Sequence, residues 1–393
     1  MRILLVNHTA RPHTGGLNRM VVETCALLHA AGHDVALAYD DGGPAAVPCR
    51  FFSLPPATVP HDVMRAAVTQ LVKDFQPEVL QLHTADHPFF RAEIATLAPT
   101  CRFIHDQSLF CSGGDRMSGA FAPCQRPHGL ACLAWHYAQG CGGKNPLGNL
   151  ERWRRVQGWC EMKAPAALRL QVASAFMRRG LLENGYAAER IDVLPLFALA
   201  PAVASAPEPG LLLVASRLVK GKGVPVLLES LGMMRDVAWR LVVAGTGPQL
   251  GELRDAVIRL GLAERVEFVG ELSPRDLDAW YARASVVVSP VVRPEPFGLV
   301  GIEAMARGKP VVAFAGGATE EWLADGETGL VVREKTAGAL AGALTRMLGE
   351  AAVRERCGRN ALVRSRAFAP ERFVEGLMAS FRRCVTGGQA QRK

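Results

Sequence analysis

Short runs of valine, isoleucine and leucine recur along the whole chain, separated by longer stretches with helical spacing. Six runs fall in the first half, at residues 3–6, 35–39, 79–83, 102–105, 170–173 and 191–194. Six more fall in the second, at 211–215, 241–244, 266–269, 286–289, 310–314 and 330–332. A strand that is apolar throughout must be covered on both faces, and a helix between strands returns the chain to the same end of the sheet. The pattern therefore predicts parallel sheets layered between helices. Helical spacing over 19–31 stops at Gly32, and that over 250–260 stops at Gly261, residues suited to a left-handed C-cap. A chain of 393 residues is long for one domain. The predicted fold class is α/β, with two doubly wound Rossmann-like domains.

The best linker signal is 195–210, where Pro195, Pro201, Pro207 and Pro209 stand among alanines. This gives an N-terminal domain over 1–198, a linker over 199–210 and a C-terminal domain over 211–368. The remaining residues, 369–393, read as a final helix expected to pack back on the N-terminal domain. Ligands of doubly wound sheets sit beyond the carboxyl ends of the strands, so a cleft between the domains is the expected active site.

Composition removes several other classes. Apolar residues are 49% of the chain and charged residues 21%, which excludes a disordered chain. No apolar run reaches the roughly 18 residues of a spanning helix, and residues 1–7 read as a first strand rather than a signal peptide. Ten cysteines in so long a chain do not make a disulfide scaffold, so a reducing cytoplasm is expected. The net charge of +8 suits an anionic ligand or membrane surface, but no basic stripe or base-stacking motif points to nucleic acid.

Three segments carry chemistry. After the run at 211–215 comes Ser216-Arg217-Leu218-Val219-Lys220-Gly221-Lys222-Gly223, ahead of a helix near Val224. Cations beside glycines at a helix N-terminus suit an anion; a solvated basic turn is the plainer reading. After 241–244 comes Gly245-Thr246-Gly247-Pro248, a tight turn that by itself has a structural explanation. The third is Arg293-Pro294-Glu295-Pro296-Phe297-Gly298-Leu299, with Glu303 further along and Gly308 ending the helix. Two prolines hold Glu295 extended at the helix mouth, and Glu303 lies about a turn and a half inside. Two acceptors flanking free N–H groups suit a polyol, a phosphate and a ribose; a helix-dipole carboxylate plus a surface glutamate is the bland alternative.

In this order, from Leu211 to Val332, these segments resemble retaining nucleotide-sugar glycosyltransferases of family 4, with their Glu-x7-Glu motif at Glu295 and Glu303. Arg265-Val266-Glu267-Phe268-Val269-Gly270, Gly316-Gly317 with Glu320, and 325–332 fit the same family. The resemblance implies the two-domain GT-B fold. It also implies that Arg217 and Lys222 grip the donor diphosphate, the five-residue offset favouring Lys222 over Lys220. Glu295 would bind donor sugar hydroxyls and Glu303 the ribose, with Gly245, Phe297, Gly298 and Leu299 also in the donor site. In the looser N-terminal match, Thr14-Gly15-Gly16 resembles the family's glycine loop, with Gly15 and Gly16 near donor phosphate, and His105 takes the position of the active-site histidine. For His83 a structural role stands equally open. The usual Asn-Gly turn is replaced by Leu194-Pro195-Leu196-Phe197, and the usual glycine before arginine by Ser216.

What the resemblance implies is sugar transfer from a nucleotide-diphosphate sugar to a glycan, lipid-linked or small-molecule acceptor, with anomeric retention. No cofactor is expected. No Asp-x-Asp metal motif lies near the phosphate residues, so fixed cations would take the leaving charge. A sugar-nucleotide epimerase, a glycosyl phosphorylase and a non-catalytic sugar-binding relative are the alternatives. A glycoside hydrolase with Glu295 and Glu303 as its carboxyl pair leaves the cations unexplained.

Residues 105–145 form an insert too long for an ordinary connection, expected to shape the acceptor pocket. Cys111, Cys124, Cys132 and Cys141 cluster there with His128 and His136, but without the paired spacing of a strong zinc site. A structural metal is the minority reading and free buried thiols the majority one. Glu151-Arg152-Trp153-Arg154-Arg155-Val156-Gln157-Gly158-Trp159 combines cations with aromatics. It reads as a helix with its tryptophans packed inward, or as an interfacial helix giving peripheral contact at the inner membrane face.

Overall fold

The computed structural model describes residues 1–393 apart from 12–14, 44–45, 86, 119–121, 142–144, 163–167, 202–204 and 391–393. Seven strands lie in the first half: β1 (Arg2–Val6), β2 (Asp34–Tyr39), β3 (Arg50–Ser53), β4 (Val79–Leu82), β5 (Thr100–Ile104), β6 (Leu168–Val172) and β7 (Ile191–Val193). Six follow in the second: β8 (Leu211–Ala215), β9 (Arg240–Ala244), β10 (Val266–Gly270), β11 (Val286–Ser289), β12 (Val311–Phe314) and β13 (Gly329–Val332). All twelve expected runs are strands. The addition is β3, an edge strand whose two phenylalanines lie between an exposed arginine and an exposed serine. So short a half-apolar stretch carries no periodic signal.

The sheets are parallel throughout, ordered β3-β2-β1-β4-β5-β6-β7 and β10-β9-β8-β11-β12-β13. Each order reverses direction once, between β1 and β4 in the first sheet and between β8 and β11 in the second. At such a point the crossover helices diverge to opposite faces, and a crevice opens at the carboxyl ends of the two strands. This is the doubly wound topology expected. The strand interiors are fully buried, as Leu4, Leu80, Leu213 and Val287 illustrate.

The chain divides into two units. The first comprises 1–116, 125–195 and 370–393; the second comprises 117–124 and 196–369. These limits differ from the expected ones in two places. The expected linker, together with 196–198 of the expected N-terminal domain, is part of the second unit, and its end is held there as Glu208 N donates to Arg283 O at 2.7 Å and the Glu208 carboxylate pairs with Arg283. Met117–Cys124 of the insert, where Ser118 N donates to Ala122 O at 2.9 Å, group with the second unit instead of the first.

The last helix, Pro370–Ala390, is tied into the first unit by a buried polar chain. Gln81 Nε2 donates to Gln171 Oε1 at 2.7 Å, and Gln171 Nε2 donates to Ser380 Oγ at 2.8 Å. Ser380 in turn donates to Asp192 Oδ2 at 2.6 Å, and Asp192 also takes Arg169 and Arg383. Each of these groups would be costly to bury alone, at about 1–3 kcal/mol for an unsatisfied partner.

Candidate active site

The loops leaving β8 and β11, on either side of the second reversal, carry most of the expected site residues. After β8 the chain makes a short turn at Lys220–Lys222, and Gly223 at φ 70° opens the helix Val224–Met233. A side chain at Gly223 would collide with the Pro290 carbonyl, so only glycine lets the two loops lie this close. Val292 N and Arg293 N both donate to Gly221 O, at 3.1 and 3.3 Å.

That approach brings Lys222 Nζ to Glu295 Oε1 at 2.7 Å, with Arg293 Nε at 3.6 Å from the same oxygen. Burial pushes the Glu295 carboxyl up, but Lys222 and then Arg293 outweigh it and hold the group below its ordinary value. Glu295 is thus an anion gripped by two cations. Its backbone is fixed as well, since Ala318 N donates to Glu295 O at 2.9 Å. Lys335 Nζ braces the same loop by donating to Val292 O at 2.6 Å.

Earlier in the Lys222 loop, Arg217 is exposed and makes no side-chain hydrogen bond among the described residues. Its loop is seated on the expected glycine turn: Leu218 N donates to Thr246 O at 2.8 Å, and a Cβ at Gly245 would strike the Ser216 carbonyl. Gly245 is therefore required by backbone packing, which also sets where Arg217 leaves the turn.

The helix Leu299–Ala306 begins at Gly298, whose φ of 105° is left-handed. Trp322 holds the start of this helix by donating from Nε1 to Phe297 O at 2.7 Å. Phe297, expected in the donor site, has a buried side chain: it is 4% exposed, and its ring meets Phe368 edge-on at 5.9 Å. Glu303 is buried and accepts from the Tyr281 hydroxyl at 2.9 Å. The structure thus joins Arg217, Lys222, Gly245, Glu295, Gly298, Leu299 and Glu303 in the loops and helix mouths at one end of one sheet. Sequence reasoning gave no role to Arg293, Tyr281, Trp322 or Lys335. Arg293 lay inside the quoted motif, whereas the others have no local signature.

In the first unit, Gly15 at φ 111° precedes the helix Gly16–Ala30, close to the carboxyl end of β1; Thr14 lies outside the described residues. Asn7 follows β1 and accepts from the Thr84 hydroxyl, which follows β4, at 2.5 Å. His105, directly after β5, meets His83, directly after β4, at 2.9 Å. Burial, with Arg102 adding to it, pushes the His105 imidazole down to about 3. Burial, then His105 and Arg102, push His83 well below its ordinary value.

Among the described residues no three His, Cys, Asp or Glu side chains converge as metal ligands. Cys111, Cys124, Cys132 and Cys141 are not gathered into such a set. Cys124 is exposed, and Cys141 Sγ donates to Trp135 O at 3.5 Å. The insert instead builds the helix Ala131–Ala138, and the helix Pro146–Met162 follows it. Trp153 turns inward, donating from Nε1 to Gly129 O at 2.9 Å, while the Trp159 side chain lies outside the described residues. No described helix is long and apolar enough to cross a membrane.

Comparison with known proteins covers nearly the whole chain. Residues 14–197 match the family described as Glycosyltransferase Family 4, and residues 199–364 match that described as glycosyl transferases group 1. Among curated relatives, the D-inositol 3-phosphate glycosyltransferase of Paenarthrobacter aurescens is 31% identical over 182 residues, 45% of this chain and 44% of that protein. The chain spans about half the length, or less, of the curated relatives it matches. Among solved structures, a sucrose-phosphate synthase from Thermosynechococcus elongatus superposes with a TM-score of 0.74 at 22% identity, over 97% of this chain and 98% of that one. An Anabaena protein solved in complex with UDP and glucose gives 0.72 at 19%, over 97% and 99%. At these identities the structural likeness establishes the GT-B fold.

The histidine pair predicts acid sensitivity. Because the folded-state values are depressed, the unfolded chain binds more protons once the pH falls below about 6.5, the ordinary histidine value. The pair's contribution is complete above that point and is lost as pH falls toward the folded value, about 3 for His105. Urea midpoints should fall between pH 7 and pH 5, and fall less in His105→Gln. An equal fall in both proteins would remove His105 from the effect.

Proposed function

From the premise that this chain belongs to the family 4 type of GT-B glycosyltransferases, we propose that it transfers a sugar from a nucleoside-diphosphate donor to an acceptor hydroxyl with retention of anomeric configuration. The acceptor is a glycan, a lipid-linked sugar or a small molecule, the class to which a polyol such as inositol phosphate belongs. The observation that carries this reading is the Lys222–Glu295 contact at the reversal of the second sheet.

Breaking the anomeric C–O bond leaves negative charge on the departing diphosphate. Lys222 and the N–H groups opening the helix Val224–Met233 are fixed donors for that charge, with the exposed Arg217 in the same loop, and preorganised donors stabilise a transition state without reorganising. The reading needs no metal there, because these groups supply the compensation. Glu295, kept ionised by its cationic neighbours, is an acceptor for sugar hydroxyls, and Glu303, oriented by Tyr281, is one for the ribose. A neutral His105 is suited to hydrogen bonding and not to holding positive charge. On the retaining path, the departing phosphate takes the acceptor proton. An epimerase or a phosphorylase on the same scaffold would differ in needing no acceptor or in consuming free phosphate.

The insert and the helix that follows it also support peripheral contact with an anionic membrane. Leu130 and Leu147 are 75% and 77% exposed, the two most exposed large apolar side chains described, and Tyr137 is 58% exposed. Leu130, Ala134 and Tyr137 recur at one-face helical spacing, and Arg126 and Arg154 supply exposed charge nearby in the chain. The acting compartment is then the cytoplasm, at the inner membrane face.

Purified protein incubated with a panel of nucleotide sugars and acceptors should give acceptor-dependent transfer, and NMR of the product should show the donor's anomeric configuration. Glu295→Gln and Lys222→Ala should each lower turnover by about 100-fold or more while leaving the circular dichroism unchanged. Near-normal turnover in either variant, or an inverted product, would defeat the proposal. In flotation with phosphatidylglycerol liposomes, the wild type should rise with the vesicles and Leu130→Ser/Leu147→Ser should remain below. Equal flotation of both would exclude this surface.

A further inference from the structure

The two imidazoles of the first unit share one contact, and its chemistry restricts both rings. His83 Nδ1 and His105 Nε2 are 2.9 Å apart, with ring centroids at 5.1 Å and planes 25° from parallel. Phe103 stacks on His105 at 4.8 Å and on His83 at 5.9 Å, so neither ring is loosely held. His83 is buried, and its Nε2 has no hydrogen-bond partner among the described residues. His105 is partly exposed, and with Nε2 engaged its Nδ1 is the nitrogen left for solvent or a ligand.

Both rings are neutral at neutral pH, for the reasons of burial and nearby Arg102 already described. Two neutral imidazoles at hydrogen-bond distance place one proton between them, so one ring donates and the other accepts. If His105 donated, the proton on His83 would sit on Nε2, an N–H buried with nothing to receive it. If His83 donates from Nδ1, its Nε2 is a bare lone pair, and the proton of His105 sits on Nδ1. Orphaned buried N–H donors are the rarer kind of unsatisfied group in folded proteins.

We infer that His83 is a positioning residue that holds His105 in the Nδ1–H tautomer, so that His105 presents a hydrogen-bond donor, and not a base, to its ligand. The matching ligand atom is an acceptor oxygen, such as a carbohydrate hydroxyl or ring oxygen. That use rests on the proposed sugar transfer, whereas the tautomer itself does not. No proton is transferred in this role; the bond from His83 only fixes which nitrogen carries it.

The test is long-range 15N–1H correlation on full-length protein labelled with 15N-histidine, at pH 7, with His105 assigned by loss of its signals in His105→Gln. The expected pattern for His105 is a protonated Nδ1 and an unprotonated Nε2, with the same pattern for His83. A protonated Nε2 on His105, or an imidazolium pattern on either ring, overturns the inference. This readout needs no activity, so it survives failure of the transferase reading. In turnover assays, His83→Asn keeps an amide donor near the Nδ1 position and should retain most of kcat. His83→Phe removes the donor and should lower kcat by about tenfold with little change in donor KM. Equal kcat for the two variants would count against a positioning role.

Discussion

Lys222 and Glu295 come from two loops 73 residues apart in sequence, and their 2.7 Å contact is where the second unit's topology becomes chemistry. As a stabilising ion pair it would be worth little, since the desolvation of a largely buried pair offsets much of its attraction. Its importance is positional. Glu295 faces two cations, Lys222 and Arg293, and Arg217 lies earlier in the Lys222 loop, so the local balance is positive around a fixed acceptor. An anionic group with hydroxyls attached is complementary to that arrangement; a neutral apolar ligand is not.

The contact depends on how closely backbone can approach backbone. Gly223 under the Pro290 carbonyl and Gly245 under that of Ser216 leave no room for a Cβ. Gly317, against the backbone of Glu295, acts likewise from the loop after β12, and a side chain at Gly301 would run into the Trp322 ring. These glycines give up conformational entropy for geometry, which a loop alone would not maintain. The parallel sheet supplies the rest, because its order reversal between β8 and β11 directs both loops to the same end.

Much of this is legible in the sequence, because apolar runs buried on both faces of a parallel sheet repeat with little interruption. The six strands of the second sheet were each visible as such runs, and Lys222, Glu295 and Gly298 were visible because the motif compresses them into short segments. Edge strand β3 was not, since two exposed and two half-buried side chains in four residues look like a loop. The partnerships Tyr281 with Glu303 and Lys335 with Val292 join residues 22 and 43 apart, and nothing local announces them. The ring of Phe297 packs on Phe368, 71 residues further along, and its place in the motif does not announce that contact. His83 was equally readable as structural or functional, and its meeting with His105, 22 residues away, has no local signature.

The most direct measurement is calorimetric affinity for the tightest-binding nucleoside diphosphate of a panel, compared between wild type, Lys222→Ala and Arg217→Ala at fixed ionic strength. If these cations hold the departing diphosphate, each substitution should weaken binding by about tenfold or more, and the wild-type affinity should fall steeply with added salt. Unchanged affinity in both variants would contradict a phosphate grip at this end of the second sheet.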